Sequence, residues 1–239
     1  LDEEARYLAS ESTFYRVLRD AGEQQRRGRA AAPRNPGPPR RHLADRPLAL
    51  WSWDVSYLPT TLRGQFYYLY LIVDIFSRKI VGGDVFDAEN TGNSSRVIER
   101  ATLREGCRHQ PLILHADNGS PMKGSTLQVT LERLGITPSH SRPRVSNDNA
   151  FSEALFRTAK YRPEYPPHGF ESLEAAQAWV MAFVRWYNHE HRHSSIRYVT
   201  PAQRHDGEEA EILAQRRAVY TAAKERNPQR WSGPTRNWD

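Results

Sequence analysis

Three β-rich segments with short connections lie in the first half of this 239-residue chain, and they restrict its fold more than any other feature. Residues 51–58 alternate between apolar and polar side chains, whereas residues 65–76 and 78–86 are aromatic and β-branched runs. Connections this short join strands that run antiparallel to each other. The three segments therefore predict an antiparallel meander.

Helical and strand patterns alternate after the meander. Gly135 is predicted to close one of these helices, because glycine readily adopts the left-handed conformation found at helix ends. The predicted elements are a helix over 94–104, a strand over 112–115, a helix over 126–134, a strand over 136–139, and helices over 151–160 and 173–187. This order is typical of an α/β fold with a mixed sheet.

Two segments of different character precede the meander. Residues 1–25 carry patterns for a helix over 2–9 and for a second helix capped by Ser12, which together could be part of a helix-turn-helix. Residues 26–48 contain five Pro and seven Arg, so we expect an extended linker there. The net charge of this linker is +6, which suits either binding to a polyanion such as nucleic acid or a solubilising spacer.

The rest of the chain divides into a catalytic core over 49–205 and a helical tail over 206–239, with a helix predicted at 208–225. The single cysteine, Cys107, excludes a disulfide framework and suits a reducing cytoplasm. The most apolar stretch, 69–76, is too short to cross a bilayer. Since the chain begins with Leu1 and shows no signal peptide, we expect an upstream segment to be missing.

Three acidic residues stand where a protein core should exclude charge. Asp54 lies inside the first predicted strand, Asp117 follows the strand over 112–115, and Glu153 lies near the start of a helix. Each acid alone is explained more simply as a strand-end cap or a solvent-facing group. Three together favour a metal site, since buried charge is costly unless it is paired or metal-bound. Mg²⁺ prefers oxygen ligands, and two ions about 3.5–4 Å apart promote phosphodiester displacement.

Five motifs, taken in order, resemble the integrase-type DDE transposases of bacterial insertion sequences, specifically the OrfB-like catalytic protein of the IS-three group. They are WDVSYL at 53–58, LIVDIFSR at 71–78, HADNGS at 115–120, NDNAFSE at 147–153 and YNHEHRHSS at 187–195. Between Asp117 and Glu153 lie 35 residues, the spacing that this group shares with retroviral integrases. The resemblance implies an RNase H-like mixed sheet flanked by helices, with a small helical segment in front of it.

The resemblance also implies an activity and a site. Asp54, Asp117 and Glu153 match the family's catalytic triad, which would hold two Mg²⁺ or Mn²⁺ ions. The expected enzyme is a DDE-type polynucleotidyl transferase that cuts DNA at element ends and transfers the freed strand. Two alternatives stay open, an RNase H-like nuclease without strand transfer and a catalytically silent DNA-binding remnant of a mobile element.

Four basic residues are candidates for DNA contact. Arg157 and Lys160 share one helical face with Glu153, and the resemblance implies phosphate contact for Lys160. Arg142 and Arg144 lie on a polar loop that could hold DNA. The alternative for all four is solvent exposure or surface ion pairing. Expected partners are double-stranded DNA, further copies of the chain on that DNA, and an upstream OrfA-like helix-turn-helix protein or fusion, in the bacterial cytoplasm and without a membrane.

Two other sets of polar residues are expected to be structural. Asp74 lies in a predicted strand and belongs to the family's fold motif, and we expect it to pair with Arg78. His189, His191 and His193 are spaced at i, i+2 and i+4, so they do not share one helical face, and we do not assign them a metal.

Overall fold

A computed structural model describes residues 10–22, 43–117, 124–141 and 149–238. The chain divides into two compact units, Leu1–Pro38 and Pro39–Asp239. In the first unit, helix α1 (Glu11–Asp20) begins after Ser10, so the predicted cap at Ser12 is wrong by two residues. The predicted helix over 2–9 and most of the linker, residues 26–42, lie outside the described residues.

The second unit contains a five-stranded mixed sheet. Its strands are β1 (Leu50–Pro59), β2 (Phe66–Asp74), β3 (Ile80–Phe86), β4 (Leu112–Ala116) and β5 (Ile136–His140). The first three strands form the predicted antiparallel meander, and β4 and β5 add parallel strands in the order β3-β2-β1-β4-β5. The predicted RNase H-like α/β architecture is therefore confirmed.

Helices pack on both faces of this sheet, and further helices follow toward the tail. They are α2 (Thr91–Arg104), α3 (Ser125–Leu134), α4 (Ala150–Lys160), α5 (Leu173–His189), α6 (Pro201–His205) and α7 (Glu209–Arg226). The end of α3 lies at Gly135 with φ of 74°, as predicted. The start of α2 lies at Thr91, three residues before the prediction, because the Asn90 side chain accepts a hydrogen bond from the Asn93 N–H at 2.8 Å. No helix among the described residues is long and apolar enough to span a bilayer.

Side chains along β1 alternate between two hydrophobic cores, one on each face of the sheet. This alternation determines the face on which Asp54 lies. Trp51 and Trp53 are fully buried on the face that packs against α2 and α3. Leu50 and Leu58 are buried on the opposite face, with residues of α4 and α5. Since successive side chains of a strand point to opposite faces, Asp54 lies on the face of α4.

Asp74 is a buried structural residue, but its predicted partner is wrong. Its Oδ2 accepts a hydrogen bond from the Leu48 N–H at 2.8 Å, and its Oδ1 accepts from the N–H and the hydroxyl of Ser77, each at 2.8 Å. Arg78 makes no ion pair with Asp74 among the described residues and instead lies over the Phe151 ring, 4.1 Å from its centre. The turn between β2 and β3 brings Ser77, three residues after Asp74, within hydrogen-bonding distance. Ser77, and not Arg78, is therefore a partner of Asp74.

The tail folds back on the core unit. The predicted helix over 208–225 corresponds to α7, and Leu213 from this helix is buried with Ile196, Val199 and Trp238. Trp238 is thus a core residue of the terminal segment, for which the sequence pattern gives no assignment.

Candidate active site

Asp54 and Asp117 meet at one edge of the sheet. Strand β1 pairs with β4 only from Leu50 to Trp53, and Trp53 lies opposite Ala116. Asp54 and Asp117 are the next residues of the two parallel strands, so their Cα atoms are neighbours. This is the carboxyl end of β4, where a loop can carry functional groups without disturbing the sheet.

Both aspartates accept hydrogen bonds that fix their carboxylates. The Asp54 Oδ1 accepts from the Val55 N–H at 2.8 Å. The Asp117 Oδ1 accepts from the Ser141 hydroxyl, also at 2.8 Å, just after β5. The imidazole of His115, two residues before Asp117, lies 3.1 Å from the Ser139 hydroxyl. Side chains at the ends of β4 and β5 therefore orient Asp117.

Glu153 is brought to the same edge by α4. Three buried side chains join the start of this helix to β1: the Ser52 hydroxyl donates to the Asn149 Oδ1, it lies 2.8 Å from the Ser152 hydroxyl, and the Asn149 Nδ2 donates to the Trp53 carbonyl at 3.2 Å. Glu153 follows Ser152 directly in the first turn of α4, where the helix dipole favours a carboxylate. The sequence analysis did not single out Ser52, Asn149 or Ser152.

The charges of Asp117 and Glu153 both act on Asp54. Burial raises the pKa of Asp54 to about 7, and the negative charges of Asp117, Glu153 and Glu89 add to this effect against the Val55 hydrogen bond. Glu89 lies in the connection between β3 and α2, and the sequence analysis missed it, since one acid in a loop carries no pattern. Its charge also raises the pKa of the Tyr57 hydroxyl.

The predicted DNA-contacting residues fall into three groups. Lys160 reaches back from the end of α4 to β1, where its Nζ donates to the Ser56 hydroxyl at 2.7 Å. Its pKa is lowered by burial, and the charge of Asp54 opposes this shift. Arg157 lies over the Tyr161 ring, 5.6 Å from the ring centre. Arg142 and Arg144 lie outside the described residues.

The histidines near the end of α5 belong to an aromatic cluster. His191 stacks on Tyr187 with ring centres 5.3 Å apart, and His193 meets His191 edge-on at 5.6 Å. Burial lowers the pKa of His193 to about 4, with further contributions from His191 and Arg78. These rings pack as uncharged aromatic groups.

The acids at the sheet edge suit a hard divalent cation in their chemistry. They offer carboxylate oxygens, and a cation would relieve the repulsion that helps to raise the pKa of Asp54. Within the described ranges, no three His, Cys, Asp or Glu side chains already converge into a metal-binding group. The carboxylate oxygens fit a divalent cation by their chemistry, but the three side chains would have to move closer together to bind one.

Family profiles identify the architecture. Residues 44–146 match one profile described as "Integrase core domain", and residues 134–201 match a second profile with the same description. Residues 44–201 of the chain therefore match the integrase core domain. The family resemblance read from the five motifs is thereby confirmed.

Bacterial transposases are relatives of this integrase core. The transposase for insertion sequence element IS904 of Lactococcus lactis is 30% identical over 161 residues, which make up 66% of this chain and 61% of that protein. The transposase for insertion sequence element IS629 of Shigella sonnei is 27% identical over 164 residues, or 69% of this chain and 54% of that protein. The chain thus spans between about half and two thirds of these relatives.

Viral integrases share the fold. A chain of the simian T-cell lymphotropic virus intasome superposes with a TM-score of 0.52 at 17% identity, covering 67% of this chain and 55% of that one. The catalytic core domain of BIV integrase gives 0.51 at 20% identity, covering 69% of this chain and 98% of that one. At these identities the comparison establishes a common integrase core fold.

Proposed function

We propose that this chain is the catalytic part of a transposase, a DDE-type polynucleotidyl transferase that cuts DNA at the ends of an insertion sequence and joins the freed 3′-hydroxyl to target DNA. One observation carries the proposal. On an integrase core, β1 and β4 place Asp54 beside Asp117, and a buried hydrogen-bond network holds the Glu153 helix against the same strand.

Asp54, Asp117 and Glu153 are the proposed ligands of two Mg²⁺ or Mn²⁺ ions. When bound, such ions supply an activated attacking oxygen and stabilise charge on the leaving oxygen. The catalytic core domain of HTLV-2 integrase, which superposes with a TM-score of 0.52, is described in complex with magnesium, and this supports the choice of metal.

The chain's own residues prepare the site for this chemistry. Below about pH 7 the Asp54 carboxyl holds a proton, which must leave before the oxygen can act as a ligand. Ser141 keeps the Asp117 carboxylate oriented, and Ser52 and Asn149 hold α4 in place. Lys160 lies on the α4 side of β1, where its ammonium group can meet a phosphate of the bound strand.

The partners follow from the same proposal. Double-stranded DNA would bind across the carboxylate edge, with Arg157, Arg142 and Arg144 as further candidate contacts and the Arg-rich residues 26–48 as a flexible basic linker. We propose that copies of the chain assemble on DNA in the bacterial cytoplasm. A helix-turn-helix partner or upstream domain would recognise the element ends.

A single assay tests the proposal and separates it from its alternatives. The chain is incubated with Mg²⁺ and labelled DNA carrying the element ends, and the products are resolved on a denaturing gel. Nicked and joined products are expected, and Asp117→Asn should remove both while leaving the fold intact. Hydrolysis without joining would indicate a nuclease, and the lack of any metal-dependent cleavage would indicate a silent DNA-binding remnant.

A further inference from the structure

Three aromatic side chains form a solvent-facing cluster on the β1–β2 hairpin. This ring cluster consists of Tyr57, Phe66 and Tyr68. Tyr57 and Phe66 expose 52% and 45% of their surface. Their rings meet edge-on, with centres 5.8 Å apart for Tyr57 and Phe66 and 5.4 Å apart for Tyr57 and Tyr68. The edge-on arrangement leaves ring faces open to a planar ligand.

The hydrophobic core beneath the hairpin supports the ring cluster. Tyr68 is half-buried and packs against the core that contains Trp53 and Tyr70. The charge of Glu89 acts on the Tyr57 hydroxyl and raises its pKa. Rings fixed in this way lose little conformational entropy when a ligand stacks on them.

The ring cluster lies next to the carboxylate edge. From Asp54 onward, β1 extends past the end of its pairing with β4, so the hairpin projects beyond the site. Tyr57 follows Asp54 by three residues, or about 10 Å along an extended strand. Four stacked bases, separated by three steps of about 3.4 Å, span a similar length. Because side chains alternate along β1, Tyr57 lies on the opposite face of the strand from Asp54. Glu89 links the two positions, since its charge raises the pKa of both Asp54 and Tyr57.

We propose that the ring cluster stacks unpaired bases of the DNA strand next to the scissile phosphate. The inference rests on the proposed function, since it needs a DNA strand at Asp54. Aromatic side chains bind single strands through the faces of the bases, and this binding tolerates any sequence. Arg63, an exposed cationic side chain at the hairpin turn, suits the phosphates between such bases.

Metal-free binding assays test this inference with two DNA probes of the same sequence. One probe is a fully paired duplex, and the other has a few unpaired nucleotides at its end, one of them 2-aminopurine. The wild-type chain should prefer the opened end and quench the 2-aminopurine fluorescence, which reports stacking. Tyr57→Leu/Phe66→Leu should weaken binding to the opened end by roughly 5- to 150-fold per stacked base and leave paired duplex binding unchanged.

Two further variants separate stacking from other effects. Tyr57→Phe keeps the ring, removes the hydroxyl on which the charge of Glu89 acts, and should retain the preference for opened ends. Leu62→Ala removes an exposed apolar side chain from the same hairpin and should also retain it. The inference is overturned if the double variant keeps the preference, or if Leu62→Ala loses as much, which would indicate a general apolar contact.

The oligomeric state of the double variant tests whether the ring cluster instead mediates contacts between copies of the chain. If sedimentation shows that the double variant alters self-association in the absence of DNA, the ring cluster joins copies of the chain and the inference is wrong. Mg²⁺-dependent cleavage by the wild-type chain is measured in parallel. Cleavage without a preference for opened ends overturns the stacking inference alone, whereas loss of all cleavage counts against the proposed function.

Discussion

The hydroxyl groups of Ser52 and Ser152 lie 2.8 Å apart, both fully buried, and join the strand of Asp54 to the helix of Glu153. Ser52 has one hydroxyl proton, and it goes to the Asn149 Oδ1, so Ser152 must be the donor in the pair of serines. Two proposed metal ligands that are distant in sequence are thereby set at a fixed separation by side chains that bind no metal.

Asn149→Ala should therefore impair catalysis by loosening α4, the helix that carries Glu153. The change removes the acceptor of the Ser52 hydroxyl proton, which keeps only its contact with Ser152, and the side-chain donor to the Trp53 carbonyl. The loss of such buried bonds costs about 1–3 kcal/mol of stability. Because α4 is less firmly held, the Mg²⁺ concentration for half-maximal cleavage should rise at least several-fold. Mg²⁺ titration of the cleavage rate and urea unfolding measure the two effects separately.

Thr158→Ala is the matched control for this change. Thr158 lies on the same helix, and within the described part of the chain its hydroxyl bonds only to the Ala154 carbonyl of that helix, at 2.9 Å. It should leave the Mg²⁺ dependence unchanged. If Asn149→Ala lowers stability and yet keeps the wild-type Mg²⁺ dependence, the network is structural and does not position Glu153.

Asp54→Asn should stabilise the metal-free protein while abolishing cleavage. Since the pKa of Asp54 rises from 3.8 to about 7 on folding, the folded state binds more protons than the unfolded state between these pH values. Wild-type stability should thus fall as pH rises from about 4 to 7, and Asn removes this loss. The gain above pH 7 should be on the order of 2–4 kcal/mol, measured by urea unfolding in a chelator.

The pH dependence distinguishes this effect from a general loss of charge. The gain from Asp54→Asn should be small near pH 4 and vanish below about pH 3, where the carboxyl is protonated in both states. Asp87→Asn, at an exposed position after β3, should give no such pH-dependent gain. A gain of equal size at pH 4 and pH 8 would contradict the assigned pKa.

Local patterns predicted most of the fold, and contacts between distant segments account for what they missed. Strand alternation and the Gly135 signal depend on neighbours in sequence, so the meander and the end of α3 were predictable. The position of Asp117 in the site was partly predictable, because this residue follows a predicted strand. Asn149 and Ser52 are 97 positions apart, and no periodicity links them. The pairing of Asp74 with Arg78 was wrong because backbone donors close to Asp74 satisfy its oxygens.

Glu105→Gln should destabilise the protein near neutral pH. Burial tends to raise the pKa of Glu105, but hydrogen bonds and charge from His205 and Lys79 outweigh it and lower the pKa from 4.5 to about 2. The Lys79 Nζ lies 2.9 Å from the carboxylate, which is only 7% exposed. A lowered pKa gives stability that is present above pH 4.5 and is lost as pH falls towards 2.

The expected cost of Glu105→Gln at pH 7 is about 2–3 kcal/mol, measured by denaturant unfolding. The difference from wild type should shrink steadily below pH 4.5 and vanish near pH 2. Glu225→Gln, an acid on the exposed surface of α7, serves as a control and should cost far less. A pH-independent cost for Glu105→Gln would show that shape, and not charge, matters at this position.

Lys160→Ala should weaken DNA engagement without weakening metal binding. Lys160 lies seven residues beyond Glu153, about 10 Å along the helix axis, so it is too distant to share the metal but close to the next phosphates. Loss of one phosphate contact should raise the DNA concentration for half-maximal cleavage several-fold and reduce the log–log salt slope by about 0.9. Lys160→Arg should be partly tolerated, because it keeps the charge.

Lys224→Ala is the control. It removes a lysine from α7 that bonds to the Gly233 carbonyl, and the DNA titration and the salt titration should both stay at wild-type values. If Lys160→Ala behaves like Lys224→Ala, the bond from Lys160 to Ser56 only fastens the end of α4, and the proposed phosphate contact is wrong.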